Sequence, residues 1–357
     1  MAKNKTPTTG IRIPPAAMSE FVCALYEKVG VPPEDARIIA SLLVDSDMHG
    51  IFSHGTGMTP QYIAKMVEGS VNPRPDVRFI QESGSVRVVD GDGGLGHPAC
   101  NFGMQWAISE AKRSGLAAVT TRNHHHIGAA GVFARMALEH DCIGMVISSN
   151  RHALDPNKSV LYAHPGGPIS VAVPSGEQPP LVMDQGVWAP WSKRVFEDYP
   201  TIYLKDLALG SVLHALAGSL AGIYRPELLA EDRRWASDQG SFLAVFDVAR
   251  FMPVEEFKAE MDRVIAGARE MRRFPGFSTA DLAGGPEWRS RLDSLALGIP
   301  VGAEHERRLA ELADRLGVET PFPRFENKRF KAAHDGAATL MEVGKRAVKA
   351  ARRRLFG

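Results

Sequence analysis

Residues 88–98 read VVDGDGGLGHP, with Gly91, Gly93 and Gly96 spaced G-x-G-x-x-G between a β-rich run and a helical one. In that context the spacing suggests a Rossmann turn, where glycines let the backbone approach a pyrophosphate at a helix N-terminus. Two details argue against it. Pro98 follows the third glycine closely and delays the helix, whose apolar spacing predicts a span of 102–113. The next strand, LAAVTTRN, ends without the acid that would bind a ribose hydroxyl. The segment is read as a glycine turn.

Upstream of this turn the chain reads as helices. Met18, Phe21, Val22, Leu25 and Tyr26 keep helical spacing until Gly30. Pro32 and Pro33 open a second helix with Glu34 and Asp35 in its first turn and an apolar stripe of Ile38, Ile39, Leu42 and Leu43. A third is predicted over 60–67. Downstream, strand and helix patterns alternate: strand CIGMVISSN, strands ISVAVPSG and PLVMD, a small-residue helix LALGSVLHALAGSLAG, strand SFLAVFDVARF and helix VEEFKAEMDRVIAGARE. Residues 286–318 read as helical again. The expected layout is a helical part, 1–75, packed with 286–325 outside a central α/β part, 76–285. The basic tail 326–357, ending KRAVKAARRRLFG, is expected to form a solvated terminal helix.

A formal net charge of +1 gives no global field for nucleic acid or an anionic membrane. Cys23, Cys100 and Cys142 form no CxxC pair, which argues against a disulfide scaffold or structural zinc and suits a reducing cytoplasm. No signal peptide or bilayer-spanning run is read. A soluble cytoplasmic protein is expected.

The chemistry-bearing residues are histidines. DMHGIFSHG supplies His49 and His54, RNHHHIG supplies His124, His125 and His126, and LVMD ends a strand at Asp184. If the strand ran through the triplet, His124 and His126 would share a face and could bind a metal with a third ligand from His49, His54 or Asp184. No metal is assigned. Acid–base work suits His54 and His126, which sit in short loops beside glycine, with Asp184 available to orient one imidazole.

On these stretches the chain resembles the malate/L-lactate dehydrogenase family, non-Rossmann NAD(P)-dependent reductases that include ureidoglycolate, diketogulonate and sulfolactate dehydrogenases and cyclic imine reductases. The resemblance runs from about Ile11 to Val318, through GVPPEDARIIASLLVDSDMHGIFSHG, RNHHHIGAAGVFARMALEHDCIGM, PLVMD, LKDLALG and GPEWRSRLDSLALGIP. It implies a mixed-sheet α/β fold with helical N- and C-terminal segments packed together, a homodimer, and hydride transfer between NAD or NADP and a small C=O or C=N substrate. It also implies catalytic roles for His54, His126 and Asp184, with Ser149, Gln185, Gly186, Lys205 and Gly276 at the cofactor.

The departures concern the substrate. His49 and Met58 stand where the family usually carries arginines suited to a carboxylate, and a methionine cannot replace a guanidinium fork. His124 and His125 replace a usual serine and asparagine, so His49, Met58, His124 and His125 are the expected substrate-contacting positions. Phe52 replaces an acid, GGP (166–168) a TNP segment, and Phe277 a glutamate. The segment holding Trp188 and Trp191 is shortened. An oxidoreductase acting on a less acidic substrate is the expectation. The alternatives are a cofactor-less paralogue doing lyase or hydrolase chemistry, with or without a metal, and a non-catalytic binding protein.

Overall fold

The first element is a strand that the sequence pattern did not announce. In the computed structural model, which describes residues 5–187, 192–230, 233–275, 277 and 279–331, β1 (Thr9–Ile13) precedes α1 (Pro15–Lys28), α2 (Pro33–Met48) and α3 (Thr59–Val67). Then come β2 (Arg78–Ser83), β3 (Val86–Asp90), α4 (Gly96–Ser114), β4 (Leu116–His124), α5 (Ala130–Met136) and β5 (Cys142–Asn150). They are followed by β6 (Pro168–Val173), β7 (Leu181–Gly186), α6 (Lys193–Asp198), α7 (Pro200–His214), α8 (Pro226–Leu229) and β8 (Gln239–Asp247). The described chain closes with α9 (Val254–Glu270), α10 (Gly285–Leu297), β9 (Ile299–Gly302), α11 (Ala303–Leu316) and β10 (Arg329–Lys331).

Seven strands form a mixed sheet in the order β2-β3-β4-β8-β5-β6-β7. Within it only β3 and β4 pair in parallel, because a parallel neighbour needs a crossover and α4 supplies one. The other three strands form an antiparallel sheet, β10-β1-β9. The C-terminal end differs from the expected helices. Residues 286–318 are not helical throughout, since the four-residue β9 separates α10 from α11, and β10 within 326–331 pairs with β1 instead of starting a terminal helix. Residues 332–357 lie outside the described residues.

Two large cores follow from this division. Ile11, Ile13, Phe21, Leu43, Ile63, Val301 and Leu309 bring both ends of the described chain into one apolar cluster. Val89, Met104, Val119, Phe133, Val146 and Leu243 build the other around the large sheet. A small third cluster holds Leu213 of α7 and the nearby Ala217 against Ile147 of β5. Small residues allow that approach. A Cβ on Gly210 would lie 2.3 Å from the His164 ring, and one on Gly240 2.6 Å from the Ala217 carbonyl oxygen.

The glycine turn has a different task from the one its spacing advertises. The Gly91 and Gly93 N–H groups donate to the carbonyls of Arg122 and Asn123, and Gly96 N–H donates to that of His126. His125 N–H donates back to Gly94 O. Asp90 ties both sides, accepting from Asp92 N–H at 2.7 Å and Asn123 Nδ2 at 2.8 Å. The turn's donors are thus spent on the histidine segment, and none of these three remains to cradle phosphate. A Cβ on Gly96 would meet Ile127 at 2.5 Å and the His125 carbonyl at 2.7 Å, so close backbone approach demands glycine there. The helix start also differs from expectation. It begins at Gly96, because Pro98 falls in the first turn, where an N–H has no intrahelical acceptor.

Candidate active site

The turn at the end of α2 sets the first histidine. Gly50 and Ile51 N–H groups fold back onto the carbonyls of Asp47 and Ser46, and His54 N–H bonds Ile51 O. His54 thereby reaches a cavity of about 1020 Å³. The β4–α5 loop, pinned by the glycine turn, brings His126 to the same cavity. The two rings face each other at 5.5 Å between centroids, tilted by 32°.

His126 is held by a residue the sequence reading missed. Tyr62 Oη lies 2.5 Å from His126 Nδ1, and Gly128 N–H points at the same nitrogen at 3.4 Å. Burial pushes the Tyr62 phenol up, so it keeps its proton and donates. With two donors on Nδ1, the hydrogen of a neutral His126 sits on Nε2. Burial first, then the neighbouring His54, Lys65 and His124, lower the His126 pKa to about 4. It is a neutral hydrogen-bond donor at ordinary pH. His54 Nδ1 contacts Ser53 Oγ at 2.7 Å.

Asp184 lines the cavity but does not orient His126, whose Nδ1 belongs to Tyr62. Its carboxylate accepts Gly131 N–H at the start of α5, 3.1 Å away. Burial raises its pKa, opposed by the nearby Arg135 and that N–H. Arg135 is the second missed residue: it lines the cavity and pairs with Asp45. Asp45 also meets His49 Nδ1, at 3.2 Å from its carboxylate, while the same nitrogen lies 2.8 Å from its carbonyl. Burial works against an ionised Asp45, but the Arg135 guanidinium and His49 hold its carboxyl well below the usual range. The signal was present in sequence: Arg135 interrupts the apolar run AGVFARMA, and Asp45 interrupts an apolar stripe.

The expected positions divide. His49, His54, His126, Asp184, Ser149, Gln185 and Gly186 line the cavity. Four others do not. Met58 packs into the terminal core. His124 is fully buried under Gly96, with Nε2 2.7 Å from Thr121 Oγ1 and Nδ1 2.8 Å from the His125 carbonyl. β4 stops at His124, so strand alternation does not extend to His126 and the two rings do not form a pair. His125 is buried away from the cavity, and its pKa is lowered by burial, with Asp238 and Lys65 nearby. Lys205 is exposed on α7. Gly276, Trp188 and Trp191 lie outside the described residues. Among those described, no group of three or more His, Cys, Asp or Glu side chains is arranged to hold a metal, and no helix is long and apolar enough to cross a membrane.

The cavity is also lined by hydroxyls, amides and open glycine backbone. Ser148, Ser149, Asn150, Gln185 and Gln239 contribute the polar groups. Ser149 Oγ is fixed by His214 Nδ1 at 2.8 Å. A Cβ built on Gly186 meets nothing within 4 Å, so this strand end is open to a ligand. Met271, Phe274, Phe277 and Trp288 add apolar surface along the rim.

Comparison with known proteins agrees with this layout. Residues 13–187 match the malate/L-lactate dehydrogenase family. Malate dehydrogenase of Pyrococcus horikoshii is 30% identical over 347 residues, covering 87% of this chain and 96% of that protein. L-sulfolactate dehydrogenase of Methanocaldococcus jannaschii is 40% identical over a shorter span of 142 residues, 40% of this chain and 41% of that protein. The solved structure of the Pyrococcus horikoshii enzyme superposes with a TM-score of 0.75 at 28% identity, covering 87% of this chain and 97% of that one.

Proposed function

Because the chain belongs to the malate/L-lactate dehydrogenase family, we propose that this cavity is its active site, where His54 and His126 serve hydride transfer to and from a small 2-hydroxy acid or its carbonyl or imine counterpart. The enzyme is an NAD(P)-dependent oxidoreductase. The facing pair His54–His126, with Tyr62 on the far nitrogen of His126, is the observation that carries the assignment.

The cavity residues fit a nicotinamide cofactor. Its volume of about 1020 Å³ lies at the large end for ligand pockets. Gly186 leaves backbone accessible, and Ser149, Asn150 and Gln185 offer hydroxyl and amide groups for carboxamide, ribose and phosphate oxygens. When bound, the cofactor supplies or accepts the hydride. His126 Nε2–H donates to the substrate oxygen and steadies negative charge as it develops there. Two imidazoles this close resist double protonation, and burial keeps His126 neutral, so the proton that accompanies hydride transfer is assigned to His54. Asp184 and Arg135 set the charge balance on the α5 side. Arg135 also places a guanidinium in the cavity despite the absence of arginine at His49 and Met58.

A homodimer fits α7, which leaves Ile202, Leu204, Leu209 and Val212 exposed while burying Leu213. Three free cysteines fit a reducing cytoplasm. The cofactor-free lyase or hydrolase alternative has no specific observation in its favour.

Turnover of malate, L-lactate and sulfolactate with NAD and NADP, read by nicotinamide absorbance, tests the assignment. At least one pair is expected to react. His54→Asn and His126→Asn are each expected to lose about 10²–10⁴-fold in kcat with cofactor affinity retained. Wild-type rates in both variants would remove the histidines from the chemistry.

A further inference from the structure

Helix α2 carries a second buried acid, which the chemistry above does not use. Asp47 is 0% exposed and lies two residues from Asp45, but its carboxylate meets the loop after His54 and not the cavity. Thr56 donates twice to Asp47 Oδ2, from its N–H at 3.0 Å and its hydroxyl at 2.5 Å. Thr56 Oγ1 also lies 3.0 Å from His305 Nε2 on α11. Since the Thr56 hydrogen goes to Asp47, Thr56 must accept the one on His305 Nε2. Gly55 seats the loop against Asp47, and Gly57 passes His305 at ordinary contact distance. A Cβ on Gly55 would lie 1.8 Å from Asp47 Oδ1, and one on Gly57 3.5 Å from His305 Nε2.

We infer that Asp47, Thr56 and His305 form a buried positioning chain that sets His54 against the cavity, and that α11 thereby takes part in the active site without touching it. This rests on the proposed role of His54. Its consequence is that the state of Asp47 reaches catalysis through one short loop. Ionised, Asp47 Oδ2 accepts both Thr56 hydrogens as charge-assisted bonds; protonated on Oδ1, it still accepts them, but more weakly, and the seat loosens. Burial, opposed by the two Thr56 bonds, raises its pKa to about 7. Burial and then Arg308 lower that of His305 to about 4, so the imidazole stays neutral where Asp47 titrates. His305 and, beyond it, Arg308 are the titratable groups facing the chain from α11. α10, also packed on α2, presents Ser294 to the Met48 carbonyl.

The test uses Asp47→Ala, Asp47→Asn and His305→Gln in the full-length protein, with the most active of malate, L-lactate and sulfolactate as probe. Asp47→Ala is expected to lose about 10- to 100-fold in kcat with KM and cofactor affinity little changed, the mark of a misplaced group. Asp47→Asn imitates the protonated acid, keeps a neutral oxygen acceptor for Thr56, and is expected to hold kcat above Asp47→Ala at the wild type's low-pH level. An acid limb near pH 7 is expected in the wild type and not in Asp47→Asn, since an amide does not titrate. Wild-type kcat in Asp47→Ala, or an unchanged limb in Asp47→Asn, overturns the inference. If Asp47→Ala does not fold, Asp47→Asn and His305→Gln decide by the same pH profile. A second readout needs no turnover: the His54 resonance in ¹³C-labelled protein, assigned with His54→Asn. Besides its own protonation, it is expected to carry a separate inflection near pH 7 in the wild type, and only that one vanishes in Asp47→Asn. If no 2-hydroxy acid is turned over, the assigned reaction fails, and this resonance alone still supports or overturns the chain.

Discussion

An imidazole whose Nδ1 receives two donors has only Nε2 left to act with. That is the state of His126, held by Tyr62 and Gly128. It explains how a histidine with a pKa near 4 serves a reaction at neutral pH: it donates a hydrogen bond and carries no charge. Labelled ¹⁵N spectra should show the Nε2–H tautomer of His126 persisting down to about pH 5. Tyr62→Phe removes one of the two donors, and kcat should fall about tenfold, the worth of a typical hydrogen bond. A charged His126 at pH 6, or full activity in Tyr62→Phe, contradicts this assignment. Residue types at 54, 126 and 184 were legible from sequence. The Tyr62 partner of His126 was not, because it approaches from a helix 64 residues away in sequence and no local pattern encodes that meeting.

At the scale of elements, the glycine turn decides where the histidines go. It looks like a phosphate cradle, yet its N–H groups hold the β4–α5 loop, and β4 ends soon enough to part His126 from His124. Gly96→Ala should therefore cost about 1–3 kcal/mol in urea unfolding by overpacking Ile127 and the His125 carbonyl, and should lower kcat. Gly186→Ala makes the contrast. Its Cβ meets no protein atom, so stability should hold while cofactor affinity falls. Equal loss of stability in both would mean that the turn does no pinning. The rejection of a Rossmann turn came from two residues, Pro98 and the missing acid. The first pointed the right way for the wrong reason, since Pro98 is accommodated in the first turn of α4.

For the whole molecule, the meeting of the two chain ends depends on β1, β9 and β10, strands of three to five residues. Strands so short leave too few alternations to read, and β9 is hidden between helical runs. Burial of imidazoles in both parts of the molecule sets the pH response. His97, His124, His126 and His305 have pKa values lowered from 6.5 to about 3, 4, 4 and 4, in each case first by burial. The unfolded chain binds their protons more readily than the fold does, so the stability they contribute is present above about pH 6.5 and lost as pH falls toward about 4. Asp47, raised to about 7, acts oppositely and favours the fold at lower pH. Asp184 and Asp35, also raised by burial, act in the same sense as Asp47, but the four imidazoles and the depressed Asp45 outweigh them, so Tm should fall between pH 6.5 and 4. A flat Tm over that window would contradict the buried, neutral histidines.

The central claim is that this cavity holds a nicotinamide cofactor beside His54 and His126. A fluorescence titration of the purified protein with NADH and with NADPH tests it most directly. Saturable binding of at least one, weakened in Gly186→Ala and retained in His126→Asn, is the expected result. Failure of both cofactors to saturate, or binding indifferent to Gly186→Ala, would contradict it.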